Sequence, residues 1–267
     1  MTSPEVIIVG ITLVRNEDRF LPRALQNAAS FCDRFLLFDH MSNDHSPRIL
    51  SDFAARHPAA TYRSISHPRE SHTALEPLAG QLVWVFGVDG DEIYDPAALA
   101  TLRFRLKAGE FCDEWMLMGH CLHVDRLEGG SASGFPAPPS RSITKLYNFA
   151  AIDSWKGVPA ERLHGGNPVF RRGFSPDKKR LLHEEISWEN SPLRCLHMCF
   201  LTRSSTDANA APRLNIDEKL NGPSSWMRAL RKLMGLPPQK SWKNERYRRG
   251  PYTTVDTIGF FKPDSAD

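Results

Sequence analysis

The sequence predicts an α/β fold: a doubly wound, mostly parallel sheet, followed by a mixed region and a C-terminal helical, basic tail. Two observations carry this prediction. Apolar runs of strand length alternate with helix-like segments through the N-terminal part of the chain, and parallel neighbours need such crossover connections. The apolar runs also end in polar or acidic residues, as strands do at the ligand-binding edge of open α/β sheets.

The N-terminal half contains three strand–helix units and a fourth strand. Strands are predicted within residues 6–14, 35–39, 61–65 and 82–88. Helices are predicted at 20–31, 47–56 and 72–79, with apolar residues at helical spacing. The strand at 82–88 is apolar throughout, which is typical of a strand buried on both faces of a sheet.

Beyond residue 100 the pattern is less regular. Residues 128–140, EGGSASGFPAPPS, are rich in Gly, Pro and Ser and are predicted to form a loop. Short strands are predicted at 143–147 and 193–201. Mixed material of this kind is expected to cover one end of the parallel sheet.

The composition is that of a globular protein, with 41% hydrophobic and 24% charged residues in a chain of 267. The apolar run at 6–14 is too short for a membrane span and lacks the features of a signal peptide. The cysteines form no CxxC pair, which argues against a disulfide framework or a zinc knuckle and favours the cytoplasm. They are Cys32, Cys112, Cys121, Cys195 and Cys199.

The most informative motif is the acidic cluster after the strand at 82–88, formed by Asp89, Gly90, Asp91 and Glu92. Asp89 and Asp91 share one side if the chain stays extended through Gly90, because strand side chains repeat every second residue. Two hard oxygen ligands beside a flexible glycine suit Mg²⁺ or Mn²⁺ carrying a diphosphate. A polar turn after a core strand is the alternative interpretation.

Two other strand ends carry polar groups. Arg15, Asn16 and Glu17 follow the first strand, and Asp39 ends the second, ahead of a Ser-Asn-Asp turn at 42–44. In a doubly wound sheet these ends gather on one edge and can surround one ligand. In this order and spacing the first 100 residues resemble the GT-A glycosyltransferases of family 2, which have an Asn-Glu pair, an Asp and an Asp-x-Asp-Glu motif at successive strand ends.

The resemblance implies a metal-dependent, inverting glycosyltransferase acting on a nucleoside-diphosphate sugar, with a glycan or lipid-linked acceptor, as in polysaccharide biosynthesis. It also implies a role for each matching residue. Val14, Arg15 and Glu17 would line the nucleobase pocket, and Asn16 would be a further nucleotide-sugar-binding residue. Asp39 would hold the base or ribose, Asp89 would face the ribose or metal, and Asp91 would ligate Mg²⁺ or Mn²⁺. Family members often carry Arg-Asn before the acidic strand. This chain has His72-Thr73 there, and Arg69 is the predicted substitute for holding the diphosphate.

The catalytic base is predicted from a weaker match. Residues 145–163, KLYNFAAIDSWKGVPAERL, resemble a family stretch that leads to a His-Glu pair, with Ala160-Glu161 at that position. The resemblance makes Glu161 the candidate base that deprotonates the acceptor hydroxyl. Glu184 and Glu185 are the alternatives, and an ordinary solvated loop glutamate is the other interpretation of Glu161.

A late strand, within LRCLHMCFLTRSS, resembles the family segment whose histidine turns toward the diphosphate. His197 would then be a metal or phosphate ligand, aided by Arg203, and a hydrogen-bonded core histidine is the alternative. Cys195 and Cys199 flank His197, but their spacing fits no familiar zinc pattern, and we interpret them as buried free cysteines.

The predicted organisation is a catalytic domain over 1–211, with a nucleotide-binding half (1–100) and an acceptor-side half (101–211), then a basic extension over 212–267. An amphipathic helix at 225–234 and the Lys/Arg-rich residues around it suggest attachment to an anionic membrane, on the cytoplasmic face; a solvated extension is the alternative. Nucleic acid is not an expected partner. Two other functions remain open. The first is a degenerate GT-A fold that only binds nucleotide or glycan, which His72 and Ala160 favour. The second is a nucleotidyltransferase, although this chain lacks the Gly-rich, basic N-terminal loop that such enzymes usually have.

Overall fold

The computed structural model describes residues 5–138, 144–156, 167–207, 226–227, 230, 233–235 and 241–261. Its strands are β1 (Ile7–Val14), β2 (Arg34–Asp39), β3 (Ala60–Ser64), β4 (Val83–Gly87), β5 (Glu92–Tyr94), β6 (Met116–Glu128), β7 (Ser131–Ala137), β8 (Thr144–Asn148), β9 (Ile152–Lys156), β10 (Asn167–Phe170), β11 (Lys179–Leu181), β12 (Arg194–His197) and β13 (Thr253–Asp256). Its helices are α1 (Leu21–Ala29), α2 (Ser46–Arg56), α3 (Arg69–Thr73), α4 (Pro96–Lys107), α5 (Leu182–Glu185) and α6 (Lys243–Arg246), with 3-10 turns at Glu76–Leu78 and Phe149–Ala151.

The N-terminal half is a parallel sheet in the order β3-β2-β1-β4. β1 lies at its centre, and side chains from its two faces enter two different hydrophobic clusters: Ile8 packs with α1 and α2, and Val9 packs with Trp115 and Trp155. A strand buried on both faces reads as a continuous apolar run, as this one does. The predicted α/β fold class is confirmed.

The second half continues the sheet with antiparallel strands in the order β4-β8-β6-β7-β13. β12 lies parallel to β6 and antiparallel to β5, so it joins the acidic strand end to the mixed half. Asp95 caps α4 by accepting hydrogen bonds from the N–H groups of Ala97 and Ala98, at 2.9 and 3.2 Å. The Arg194 guanidinium donates to the same aspartate at 2.6 Å, which ties β12 to the start of α4.

The predicted loop at 128–140 is wrong over its described part, because residues 131–137 form β7. Gly129 and Gly130, with φ of 56° and 84°, make a two-residue turn between β6 and β7. Paired residues with positive φ suit the hairpin turns whose twist matches that of the strands. At Gly134 a Cβ atom would lie 2.0 Å from the backbone oxygen of His123. The glycines therefore serve turn geometry and close strand approach.

Residues 241–261, which belong to the predicted C-terminal extension, are integrated into this fold. β13 pairs with β7, and the buried Asn27 amide donates to the backbone oxygens of Phe260 and Tyr94, at 2.8 and 2.7 Å. The predicted helix at 225–234 lies partly outside the described residues. Within the described ranges, no helix is long and apolar enough to cross a membrane.

Candidate functional site

The candidate site centres on Asp91, just beyond the end of β4. The Arg203 guanidinium contacts Asp91 Oδ2 and lies 3.2 Å from Glu17 Oε1 through the same nitrogen. The side chains of Asp91, Arg203 and Glu17 are 4%, 8% and 13% exposed. His197 Nε2 lies 3.3 Å from Asp91 Oδ2. Two predicted carboxylates, the predicted histidine and its arginine therefore form one buried charge network.

Gly90 fixes the approach of the acidic segment to β1. A Cβ atom there would lie 2.5 Å from Glu17 Oε2 and 3.0 Å from Val14 Cγ1. A contact under 3.0 Å forces a displacement, so a side chain at position 90 would push the Glu17 carboxylate away from this backbone. The structure thus brings Val14 and Glu17, predicted from the first strand end, against the acidic segment.

The loops after β1 and β2 hold each other through side-chain hydrogen bonds. Asn16, which has a φ of 58°, donates its N–H to Ser42 Oγ at 2.8 Å, and its Oδ1 accepts the Asn43 N–H at 2.8 Å. Asp39 is 2% exposed and accepts the Ser42 N–H on Oδ2 at 3.2 Å. Short polar side chains favour such loop conformations, because they hydrogen-bond to nearby backbone.

Asp18 joins these loops to the segment that carries Arg203. Its carboxylate accepts the Ser205 N–H at 2.7 Å, the Ser205 hydroxyl, and the His45 N–H at 3.2 Å. Burial opposes ionisation of Asp18, but the hydrogen bonds from Ser205 and His45 outweigh it and lower the pKa to about 2. Asp44 adds a bond from Ser204 Oγ at 2.6 Å. Three chain segments are thereby fixed around Arg203.

The two acidic side chains beyond Gly90 have opposite electrostatic environments. Burial opposes the charged form of Asp91, but the charges of Arg203 and His197 hold its pKa well below the usual range. Burial raises the pKa of Glu92 to about 7, although the Tyr94 hydroxyl donates to it at 2.7 Å. The same acidic segment thus holds one carboxyl group whose pKa is lowered and one whose pKa is raised.

The other residues predicted for the donor site range from exposed to fully buried. Arg15 is exposed in the loop after β1, and Asp89 is half-buried, with its backbone oxygen accepting the Glu92 N–H at 3.1 Å. On α3, Arg69 is exposed and His72 is fully buried. Side-chain contact between His72 and a bound diphosphate would require a rearrangement of α3.

The base candidates lie apart from this network or outside the described residues. Glu161 is within 157–166, which the structure does not describe. Glu184 and Glu185 are on α5, where Arg180 donates to Glu185 at 2.9 Å. On the same helix, His183 Nδ1 lies 3.1 Å from the backbone oxygen of Met118 on β6. Met118 precedes His123, which is paired with His197, by five residues, and five residues of extended strand span about 17 Å. The structure does not bring these two glutamates to Asp91.

A buried cluster of thiols and imidazoles adjoins the network and is absent from the sequence predictions. Cys121, His123 and His197 have potential ligand atoms within 4.8 Å of one another. Burial opposes ionisation, but the neighbouring Cys121 raises the pKa of His123 to about 9, and His197 lowers that of Cys199 to about 6. The available signal was the tripeptide Cys-Leu-His, which occurs at both 121–123 and 195–197.

Comparisons with known proteins give distant structural likenesses. No protein-family model and no curated protein matches the sequence. Glucosyl-3-phosphoglycerate synthase from Mycobacterium tuberculosis, solved with Mn²⁺ and UDP-glucose, is 13% identical over 88% of this chain and 81% of that one, with a TM-score of 0.36. A mannosyltransferase from Pyrobaculum calidifontis, solved with GDP-mannose and Mn²⁺, is 14% identical over 67% of this chain and 60% of that one, with a TM-score of 0.35.

A third likeness is to 4-diphosphocytidyl-2C-methyl-D-erythritol synthase from Anaerococcus prevotii, at 14% identity over 54% of this chain and 70% of that one, with a TM-score of 0.35. The chain spans less than two thirds of the mannosyltransferase. Likenesses at these TM-scores do not define the chemistry of this chain.

Proposed function

We propose that the protein is a glycosyltransferase that moves a sugar from a nucleoside-diphosphate sugar to a hydroxyl of a glycan or lipid-linked acceptor. The observation that carries this proposal is the burial of Glu17, Asp91 and Arg203 together at the carboxyl ends of β1 and β4. Ligands of open α/β sheets bind at this edge. The order of acidic motifs along the chain, which resembles family 2 of the GT-A enzymes, supports the same assignment.

The donor site is proposed to hold Mg²⁺ or Mn²⁺ through Asp91, with Asp89 beside it, since hard carboxylate oxygens suit these ions. A bound ion would neutralise negative charge on the departing nucleoside diphosphate. In the structure Arg203 compensates the charge of Asp91 and Glu17. With a cation at Asp91, the guanidinium would be available to bind a phosphate, which Arg does bidentately. His197 Nε2, 3.3 Å from Asp91, can share the ion or donate to the carboxylate.

The nucleoside is proposed to lie along the end of β1 and β2. Val14 and Asp39 are paired in the β1–β2 register, so the ends of the two strands are side by side. Arg15, Asn16 and Glu17 follow directly, and we propose that this stretch contacts the base while Asp39 contacts the base or ribose. Arg69, exposed on α3, is the proposed additional contact to the diphosphate.

Calorimetric titration of nucleoside diphosphates with Mn²⁺ tests the donor site. We expect binding that requires the ion and is lost in Asp91→Asn, because the variant removes the ligand charge. Asp52→Asn is the control, since Asp52 is 61% exposed on α2. Absence of binding for every nucleoside diphosphate, or equal binding by Asp91→Asn, would contradict the proposal.

Glu161 is proposed as the base, with Glu184 and Glu185 as alternatives. A single in-line displacement inverts the anomeric carbon, and it needs one carboxylate to take the proton of the acceptor hydroxyl. Glu161→Gln should therefore abolish transfer and leave Mn²⁺-dependent donor binding unchanged. If Glu184→Gln or Glu185→Gln has this phenotype instead, the assignment moves to that residue; unchanged transfer in Glu161→Gln rejects Glu161.

A GT-A fold that binds without transferring is a second candidate, and the contact of Arg203 with Asp91 Oδ2 favours it. That contact occupies an oxygen that would otherwise face a cation. Binding of a sugar nucleotide that does not require Mn²⁺ and is not followed by breakdown, in the presence or absence of candidate acceptors, would identify this case. Breakdown of the bound sugar nucleotide would exclude it.

We also propose that residues 226–234 contact an anionic membrane on the cytoplasmic face. Trp226, Met227 and Leu230 are 65%, 40% and 42% exposed, and basic residues surround them in the sequence. Sedimentation with phosphatidylserine vesicles tests this. Trp226→Ser with Leu230→Ser should reduce the bound fraction, whereas Ile258→Ser, at an exposed apolar residue elsewhere, should not. Equal sedimentation of the wild type and all variants would reject the proposed membrane contact.

A further inference from the structure

Two copies of Cys-Leu-His lie side by side in the sheet. Residues 121–123 are on β6 and residues 195–197 are on β12, and the parallel register pairs Cys121 with Cys195 and His123 with His197. Paired residues on neighbouring strands share a face, and so do residues two apart on one strand. Cys121, His123, Cys195 and His197 therefore project to the same side of the sheet. Cys199, two residues beyond β12, brings its sulfur to 3.7 Å from His123 Nδ1.

Three separations measured from His123 Nδ1 are close to the edges of a tetrahedral zinc site. His123 Nδ1 lies 2.9 Å from His197 Nδ1, 3.8 Å from Cys121 Sγ and 3.7 Å from Cys199 Sγ. From usual zinc bond lengths, the edges of a tetrahedral site are about 3.3 Å between two nitrogens and about 3.6 Å between nitrogen and sulfur. The observed separations differ from these edges by a few tenths of an ångström.

The surroundings are those of a closed metal site. Cys121, His123, His197 and Cys199 are between 0% and 6% exposed. His197 presents Nδ1 to the cluster and Nε2 to Asp91 Oδ2, at 3.3 Å. Ligating histidines usually donate the second ring N–H to a carboxylate in this way, which fixes ring orientation and tautomer. The ring of His123 is stacked on Tyr247, with centroids 4.2 Å apart.

We propose that Cys121 Sγ, His123 Nδ1 and His197 Nδ1, whose ligand atoms lie within 4.8 Å of one another, bind one Zn²⁺ ion, and that Cys199 Sγ, 3.7 Å from His123 Nδ1, is the fourth ligand. Thiolate and imidazole ligands in a buried tetrahedral arrangement select zinc over Mg²⁺ or Mn²⁺. Binding releases the thiol protons, because the thiolate and the neutral imidazole are the ligating forms. The ion would join β6, β12 and the turn after β12, and it would leave the His197 Nε2–H to donate to Asp91. With zinc on Nδ1, His197 would hold the donor cation only through its hydrogen bond to Asp91, so the zinc site is distinct from the donor cation and does not depend on the transfer chemistry.

Metal analysis of the untagged protein tests the proposal directly. We expect one Zn²⁺ per chain by mass spectrometry of the metal content, and a lower Tm after chelation that zinc restores. Replacement of zinc by Co²⁺ should produce the absorption of a tetrahedral thiolate complex. If the protein holds one zinc per chain but its cobalt form shows no thiolate-to-cobalt absorption, the ion lies at another site and the assignment is overturned. So would a folded protein that binds no zinc after reconstitution.

Two variants separate this site from other zinc binding. Cys121→Ser should weaken zinc affinity by more than the roughly 10–100-fold that loss of an outer-shell partner costs, and reduce the cobalt absorption. Cys32→Ser is the control, because Cys32 is a buried thiol beside Gly10 on β1. It should keep both zinc and the cobalt spectrum. Equal zinc affinity in Cys121→Ser and Cys32→Ser would overturn the proposal.

Discussion

Replacement of Arg203 by methionine tests the buried charge network of the candidate site. The guanidinium is 8% exposed and lies between Asp91 and Glu17, which are 4% and 13% exposed. Removal of one partner of a buried ion pair costs about 3–5 kcal/mol, because the remaining charge has no compensation. In a domain of this size about 1 kcal/mol corresponds to roughly 2–4 °C in Tm, so Arg203→Met should lower Tm by roughly 6–20 °C.

Thermal unfolding followed by circular dichroism measures this effect, with Arg171→Met as the control. Arg171 pairs with Asp153 at the surface, where the two side chains are 46% and 59% exposed, and such pairs contribute at most about 1 kcal/mol. Adding Asp91→Asn to Arg203→Met should recover part of the loss, since it removes one stranded charge. Mn²⁺ should raise the Tm of Arg203→Met more than that of the wild type. A loss no larger than that of Arg171→Met would refute the reasoning.

Three further predictions follow from glycine contacts and one pKa. Gly90→Ala should weaken Mn²⁺-dependent nucleotide binding in calorimetry, because its Cβ would meet Glu17 Oε2 at 2.5 Å; Gly259→Ala, with no contact nearer than 3.5 Å, should not. Gly134→Ala should lower Tm well below that of Gly259→Ala, because its Cβ would lie 2.0 Å from a backbone oxygen of β6. Asp18 has its pKa lowered from 3.8 to about 2, so its stabilisation is present above pH 3.8 and is lost as pH falls through 2. At about 1.4 kcal/mol per pKa unit the loss in the free energy of unfolding, measured in urea, is about 2.5 kcal/mol, and Asp18→Asn should remove that pH dependence. A wild-type-like Tm for Gly134→Ala, wild-type-like binding by Gly90→Ala, or an unchanged pH profile for Asp18→Asn would contradict the respective prediction.

The parallel half of the sheet could be predicted from the sequence because three of its four strands, β1, β2 and β4, are mostly buried. β1, β2 and β4 are apolar over most of their length, and a polar or acidic residue ends each strand or follows it within two positions. The gathering of Val14, Glu17 and Asp91 followed from topology alone, since carboxyl ends of parallel strands share an edge.

The antiparallel half could not be predicted in the same way. In residues 128–137 the Gly-Gly turn signal was present, but Ser, Gly and Pro have low strand propensity and suggested a loop. β7 forms because β6 and β13 flank it and its small residues permit close approach. Tertiary pairing here overrides local propensity.

The site features that the sequence did not predict depend on contacts between residues far apart in the chain. Arg203 contacts Asp91 across 112 positions of the chain, and its role as the buried counter-ion is set by the turn after β12. The Cys-x-His repeat becomes a cluster only through the β6–β12 register. Spacing along one segment, which argued against a zinc pattern, contains no information about a second segment beside it.

The most direct test of the central claim is release of nucleoside diphosphate from a panel of sugar nucleotides with Mg²⁺ or Mn²⁺. The proposed donor site predicts slow, ion-dependent breakdown of one sugar nucleotide in water. Asp91→Asn should reduce that rate by about 100-fold or more, because charge stabilisation of the leaving group is a large catalytic term, whereas Asp52→Asn should not. Breakdown of none of the sugar nucleotides, or an equal rate in Asp91→Asn, would contradict the account.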